Sequence, residues 1–329
     1  MKNLSATLLI LSMVLSIARG QDPNINIDEF YPVEPSHSYV GFSVKYMGYA
    51  MVRGRFADFQ GTIRYDENKI ENTSVTFRVQ TASIDTDQEW RDNDLKSAQW
   101  LDTANFPVMM FTGKSVSVRN DGFDITGELT IKNTTKSVTL RMDPPSGLLK
   151  DTRGDHQVIF TGSLTIDRTE FGVEGQRWSK VKEGIVGVDS KVNIELSILG
   201  KQLQERNLSG WVRNPERPPG KVYQMIKDQG VKKAMNEFAK MVKESDRINV
   251  NALRIVGRLL MRQGKLDDAL TVYKQNANSF PLAYEPFRDL GEIYCQRKEY
   301  DNAKANFMKA LEVNPQNTYS KEVLRYLSQ

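Results

Sequence analysis

The hydrophobic period changes once along this 329-residue chain, and that change limits what it can fold into. Between about residues 25 and 200, apolar residues alternate with polar ones in short runs. Val40, Phe42, Val44 and Tyr46 share one face. Val75, Phe77 and Val79 repeat the pattern, as do Ile125, Gly127, Leu129 and Ile131, then Val138, Leu140 and Met142. Val158, Phe160, Gly162 and Leu164 follow, and Val192, Ile194, Leu196 and Ile198 close the series. Successive side chains on a strand point to opposite faces, so each set lines one interior. After residue 220 the spacing becomes helical. Leu253, Val256, Gly257, Leu260, Ala269, Tyr273 and Pro281 return 34 residues later as Phe287, Leu290, Gly291, Tyr294, Ala303, Phe307 and Pro315. A β unit followed by a repeated helical unit is the expectation.

Turn residues punctuate the first unit into about eight strands, with Asp66-Glu67-Asn68 and Asn120-Asp121-Gly122 among the breaks. The stretch Val52–Tyr65 is long and is expected to bend at Gly54 or Gly61. A helical segment with Trp90, Leu95 and Ala98 on one stripe interrupts the strands after Asp85-Thr86. Eight antiparallel strands of this length remove their edges by closing on themselves. A closed sheet of that size holds its own side chains, or one small ligand.

Specific residues then point to a family. Phe42-Ser-Val-Lys-Tyr-Met-Gly, followed by Val52-Arg-Gly-Arg-Phe-Ala-Asp-Phe-Gln-Gly, resembles the opening of YceI-like domains. Ser83-Ile-Asp-Thr, Arg91-Asp92, Phe106-Pro107, Gly127-Glu-Leu-Thr-Ile-Lys and Arg168-Thr-Glu-Phe-Gly follow in the family's order. The resemblance covers residues 28–199. It implies an antiparallel, lipocalin-like eight-stranded β-barrel in an exported bacterial protein that binds an isoprenoid or another apolar-chain lipid. The residues expected to line the ligand are Phe42, Val44, Tyr46, Phe56, Phe77, Val79, Phe111, Leu129, Ile131 and Phe160. Tyr46 stands where many members have histidine, which bears on the head group accepted. Core packing alone also requires inward apolar residues, so each position has a purely structural reading.

The 34-residue recurrence resembles tetratricopeptide (TPR) repeats, in which small residues let paired helices approach and large ones fill the gap. An earlier degenerate repeat places Ala234, Phe238 and Met241 on its second helix, and Ser320 to Leu327 reads as a terminal helix. Such repeats are protein-interaction modules. Arg254 and Arg258, four apart on one face, are expected with Arg262 to grip an acidic segment of an unknown protein partner. A solvated basic face is the plainer alternative.

The expected organisation is therefore multi-domain: a signal peptide over 1–20, the barrel over 25–200, a linker over 201–220 and an all-α TPR stack over 221–329. The leader MKNLSATLLILSMVLSIARG has a basic start, a short apolar run and small residues before Gln21, so export to the periplasm or outside is expected. No membrane span is expected after its removal. The formal charge is only +4, so the whole chain does not read as a nucleic-acid binder, and it splits into a net -5 over 21–202 and +7 over 203–329. One cysteine and two histidines leave little for a metal site or a histidine-based triad, and no catalytic motif, metal or cofactor is expected. A lipid carrier with an interaction module is the leading reading. The alternatives are an envelope scaffold with a filled barrel and, less favoured, an enzyme acting on a bound lipid.

Overall fold

A computed structural model describes residues 25–175, 178, 181–182, 185–245 and 248–328; the expected leader lies outside the described residues. The β unit contains β1 (Phe30–Pro32), β2 (Tyr39–Tyr46), β3 (Ala50–Phe56), β4 (Phe59–Arg64), β5 (Ser74–Gln80) and β6 (Ile84–Asp85). The helix α1 (Glu89–Lys96) precedes β7 (Val108–Arg119), β8 (Gly122–Ile131), β9 (Thr134–Met142), β10 (Leu149–Lys150) and β11 (His156–Asp167). A small pair, β12 (Val181–Lys182) and β13 (Ile185–Val186), leads into β14 (Val188–Gln202).

All strand pairs are antiparallel, and the main sheet runs β1-β4-β5-β7-β8-β9-β11-β14-β2-β3-β6, with β10 paired to β11. The sheet curls into a β half-barrel around an apolar interior. The register keeps each alternating set on one face: Val44 lies opposite Val192, Phe42 opposite Ile194, and Phe77 opposite Phe111. The expected bend falls elsewhere. The chain turns at Ala57-Asp58, where the Ala57 N–H donates to Ser83 O and the Gln80 N–H to Asp58 O. Gly54 and Gly61 instead make room for rings. A Cβ at Gly54 would lie 2.5 Å from Phe42 Cζ, and one at Gly61 would lie 2.4 Å from Phe77 Cδ2.

The C-terminal part of the chain is a helical region. It comprises α2 (Glu205–Trp211), α3 (Pro218–Gln229), α4 (Val231–Glu244), α5 (Asn251–Arg262), α6 (Leu266–Ser279), α7 (Glu285–Gln296), α8 (Tyr300–Val313) and α9 (Thr318–Leu327). Its buried residues keep the 34-residue spacing: Leu253 and Phe287, Val256 and Leu290, Ala269 and Ala303, Tyr273 and Phe307. Gly257 sits under the Tyr273 ring and Gly291 under the Phe307 ring. The stretch 201–220 is not an extended connector throughout. Leu208 and Val212, four apart, bury one side of α2 against the helical core, and Pro218 and Pro219 open α3, where a missing N–H costs nothing.

The helical region is docked on the sheet. Ile25, Ile27 and Phe30 are buried in the helical core rather than in the β interior. Glu322, fully buried on α9, accepts hydrogen bonds from Ser74 Oγ and Thr76 Oγ1 of β5 and from Arg325. Arg325 also donates to Gly113 O of β7, and the Arg64 guanidinium lies 4.0 Å from the Tyr326 ring centre while pairing with Glu29 at 2.7 Å.

Candidate ligand cavity

The interior of the curved sheet is hollow in two joined lobes. The inner lobe has a volume of 140 Å³ and the outer one 370 Å³. Phe42, Phe56, Met109, Ile131 and Ile194 line both and mark the junction. Strand alternation places these side chains inward, and the outward neighbours of β2 (Lys45) and β3 (Arg53, Arg55) are exposed. All ten sequence-derived residues line the hollow. Phe77, Val79, Phe111, Leu129 and Phe160 belong to the inner lobe, Val44 and Tyr46 to the outer, and Phe42, Phe56 and Ile131 to both.

The inner end is stoppered by aromatic rings. Tyr31 and Tyr65 are 6.5 Å apart, Tyr65 and Phe160 5.4 Å, and Phe160 and Phe123 6.2 Å, each pair close to edge-on. Burial pushes the Tyr31 hydroxyl up to about 12, helped by the nearby Asp28 and Glu67 charges, so that end stays neutral. The outer end is ringed by Trp90, Trp100, Trp178, Arg91, Asp94 and Arg168. Tyr46 packs 6.1 Å from the Trp178 ring.

The polar groups at the outer end are largely committed to the scaffold. Arg168 is buried and donates to the carbonyls of Val173, Glu174, Val188 and Asp189 at 2.6–2.9 Å, with its guanidinium 5.0 Å from the Trp100 ring. Burial lowers its pKa, and the carbonyl cage stabilises the cation. Arg91 Nε donates to Thr86 Oγ1 at 2.8 Å and Nη2 to Thr86 O at 2.7 Å. Asp92 accepts from both the Thr86 N–H and its hydroxyl, so Arg91 and Asp92 jointly hold α1 to the preceding chain. Trp100 Nε1 donates to Asp94 at 3.1 Å. The arrangement suits a long apolar guest with few polar demands. Sequence reasoning missed Met109, Ile194 and Leu196 as lining residues, although the last two belong to the alternating set of β14.

Arg254, Arg258 and Arg262 do come together on α5, beside a 340 Å³ cleft between the helical region and β1. Each is paired within the chain, although with Arg288 four guanidiniums meet only three carboxylates. Arg254 Nε donates to the buried Asp289 at 2.9 Å, Arg258 lies 3.6 Å from Asp289 and 3.5 Å from Glu292, and Arg262 pairs with Asp28 at 2.6 Å. Arg288 completes the cluster, 2.7 Å from Asp289. Burial alone would raise the Asp289 pKa, but Arg254, Arg288 and Arg258 outweigh it and hold the group at about 2. Neither histidine lines the hollow: His37 Nδ1 meets Glu34 at 2.8 Å on the surface, and His156 is half-buried on β11 with its pKa lowered by burial.

The β unit matches known proteins in sequence. The model of the YceI-like domain matches residues 31–199. A UPF0312 protein of Pseudomonas aeruginosa is 30% identical over 174 residues, which is 53% of this chain and 88% of that protein. Among solved structures, Burkholderia cenocepacia BcnA matches with a TM-score of 0.45 and 21% identity, over 51% of this chain and 99% of that one. A polyisoprenoid binding domain from Saccharophagus degradans matches with a TM-score of 0.39 and 14% identity, over 53% of this chain and 98% of that one. The chain belongs to the YceI-like family, and its helical region lies beyond the matched residues.

Proposed function

We propose, from this family membership, that the protein is an exported bacterial carrier or sequestering protein for one isoprenoid or similar apolar-chain lipid. The observation that carries the reading is the two-lobed hollow of 140 and 370 Å³ with an almost wholly apolar lining and a single tryptophan-ringed end. Each buried CH₂ of a guest contributes roughly 0.8 kcal/mol, so a chain of about ten carbons gains on the order of 8 kcal/mol before ordering costs. Polar recognition is then secondary, which fits the committed state of Arg91, Asp94 and Arg168. It also favours binding over catalysis, because the polar side chains at the outer end, Arg91, Asp94 and Arg168, already serve the scaffold.

In this reading β2, the bent run β3–β4, β5, β7, β8, β9, β11 and β14 act together as an eight-stranded lipocalin-like barrel. The helical region acts as a TPR-type module that ties the carrier to a protein complex in the envelope. The 34-residue spacing of buried residues and the glycine clearances at Gly257 and Gly291 support that assignment. Lipid extraction and native mass spectrometry on protein purified from a bacterial envelope test the carrier role. Wild-type protein should retain a prenyl or acyl chain, and Met109→Trp, which fills the junction of the lobes, should lose it while keeping its melting temperature. Wild-type protein that never carries a lipid refutes the reading in favour of a filled scaffold.

A further inference from the structure

The outer end of the hollow carries an exposed apolar feature that packing does not explain. The turn between β2 and β3 is built from Tyr46-Met47-Gly48-Tyr49, with the Tyr49 N–H donating to Tyr46 O. Met47 and Gly48 both have positive φ, 52° and 75°, which is the tight hairpin form that favours Asn-Gly or Gly-Gly. A methionine there accepts a left-handed backbone in order to present an apolar side chain. Met47 is 45% exposed, Tyr49 94% and Met51 38%. The hairpin is held firmly, since the Met47 N–H donates to Gly187 O at 2.9 Å and Tyr46 packs on Trp178.

This tip is continuous with the cavity mouth. Tyr46 and Val52, on the two arms of the hairpin, line the outer lobe. Trp90 lines the same lobe and is 65% exposed, so the hollow reaches solvent there. Lys45 and Arg53 stand on the exposed face of the hairpin beside Met51, and among the described residues neither is in an ion pair. Arg55, further along, is paired with Asp85. Asp87 and Glu89 stand beside Trp90, so any attraction for anions comes from the hairpin side.

We infer that the Met47–Met51 tip and Trp90 form a docking surface for a lipid bilayer, which sets the cavity mouth against the membrane. Tyrosine, tryptophan and methionine insert at the head-group level, and Lys45 and Arg53 meet anionic phosphates. A bilayer accounts for the apolar tip and for its continuity with the apolar hollow together. A chain moving from bilayer to cavity then never crosses water. The purpose of this surface rests on the carrier reading, but its existence is tested separately.

The test is co-sedimentation of the full chain with vesicles of phosphatidylethanolamine and phosphatidylglycerol, compared with phosphatidylcholine alone. Wild-type protein should bind the anionic vesicles more tightly. Tyr49→Asp should weaken binding by about tenfold. Met47→Asn suits the turn, so it should weaken vesicle binding without lowering the melting temperature. Absence of vesicle binding, or binding unchanged in both variants, overturns the inference. Concentration-dependent dimers abolished by Tyr49→Asp, with no vesicle binding, overturn it in favour of a contact between copies. Lipid content of the same preparations separates the two readings: an empty protein that still binds vesicles retains the docking surface and refutes the carrier.

Discussion

Asp289→Asn should destabilise the helical region by about 3–5 kcal/mol, the usual cost of removing one partner from a buried charge cluster. Asp289 is fully buried. Its Oδ1 accepts from Arg288 Nε at 3.2 Å and Nη2 at 2.7 Å, and its Oδ2 from Arg254 Nε at 2.9 Å. Asparagine keeps the volume but aims an amide at one of these donors. Arg258 and Arg288 then keep Glu292, at 3.5 and 3.4 Å, while Arg254 keeps only the Asn251 side chain. That residual compensation places the expected loss at the lower end, about 3 kcal/mol. Urea denaturation followed by the helical far-ultraviolet signal measures it. The pH dependence gives a second reading. The Asp289 pKa is held at about 2, below the ordinary carboxylate value, so its stabilisation is complete above about pH 4 and is lost as pH falls toward 2. The asparagine variant should lack that component of acid sensitivity. A loss under about 1 kcal/mol with an unchanged acid profile would refute the idea that this cluster organises the helices.

Three further outcomes follow from the packing. Gly257→Ala would put a Cβ 2.3 Å from Tyr273 Cε1 and should cost about 1–3 kcal/mol in a denaturation midpoint, whereas an unaffected protein would show that the ring has room to move. Cys295 is buried, and burial reinforced by the Glu292 charge pushes its thiol up to about 12, so a chromogenic disulfide reagent at about pH 8 should react only after denaturant is added; fast native labelling contradicts this. Glu322→Ala leaves Ser74, Thr76 and Arg325 without their common acceptor and should speed limited proteolysis between residues 203 and 217; an unchanged cleavage rate would mean that the helical region docks without this carboxylate.

The cavity lining was readable because a strand has a period of two and the interior is apolar. All ten residues expected to touch a ligand line the hollow, whereas Gly127, Val138, Val158 and Gly162 of the alternating sets do not. The bend was not readable, because Gly54 and Gly61 carry the same glycine signal whether they bend a strand or clear a ring. Only the positions of Phe42 and Phe77 distinguish the two cases. The polar run around residues 201–220 concealed α2, whose stability comes from Leu208 and Val212 meeting a core that no local window contains. For Arg254 and Arg258 the face was legible and the occupant was not. Their carboxylate lies on α7, at Asp289, and a free basic face and an internally paired one have the same local pattern.

One strand shows how the two halves of the chain constrain each other. On β5, Val75, Phe77 and Val79 face the cavity, while the alternate residues Ser74 and Thr76 hold Glu322 of α9. The wall of the inner lobe is therefore also the seat of the helical region. The rings of Tyr31, Tyr65, Phe160 and Phe123 close the inner end, and Phe30, just before Tyr31, packs 6.1 Å from Tyr319 on α9. Among the described residues the outer lobe reaches solvent between Trp90 and the β2–β3 hairpin, where the proposed guest would enter. The residues lining that end lie outside β1, β4 and β5, the strands on which α9 packs. Under the proposed reading, coupling between a guest and a helix-bound protein runs through the strands on which α9 packs, β1, β4 and β5.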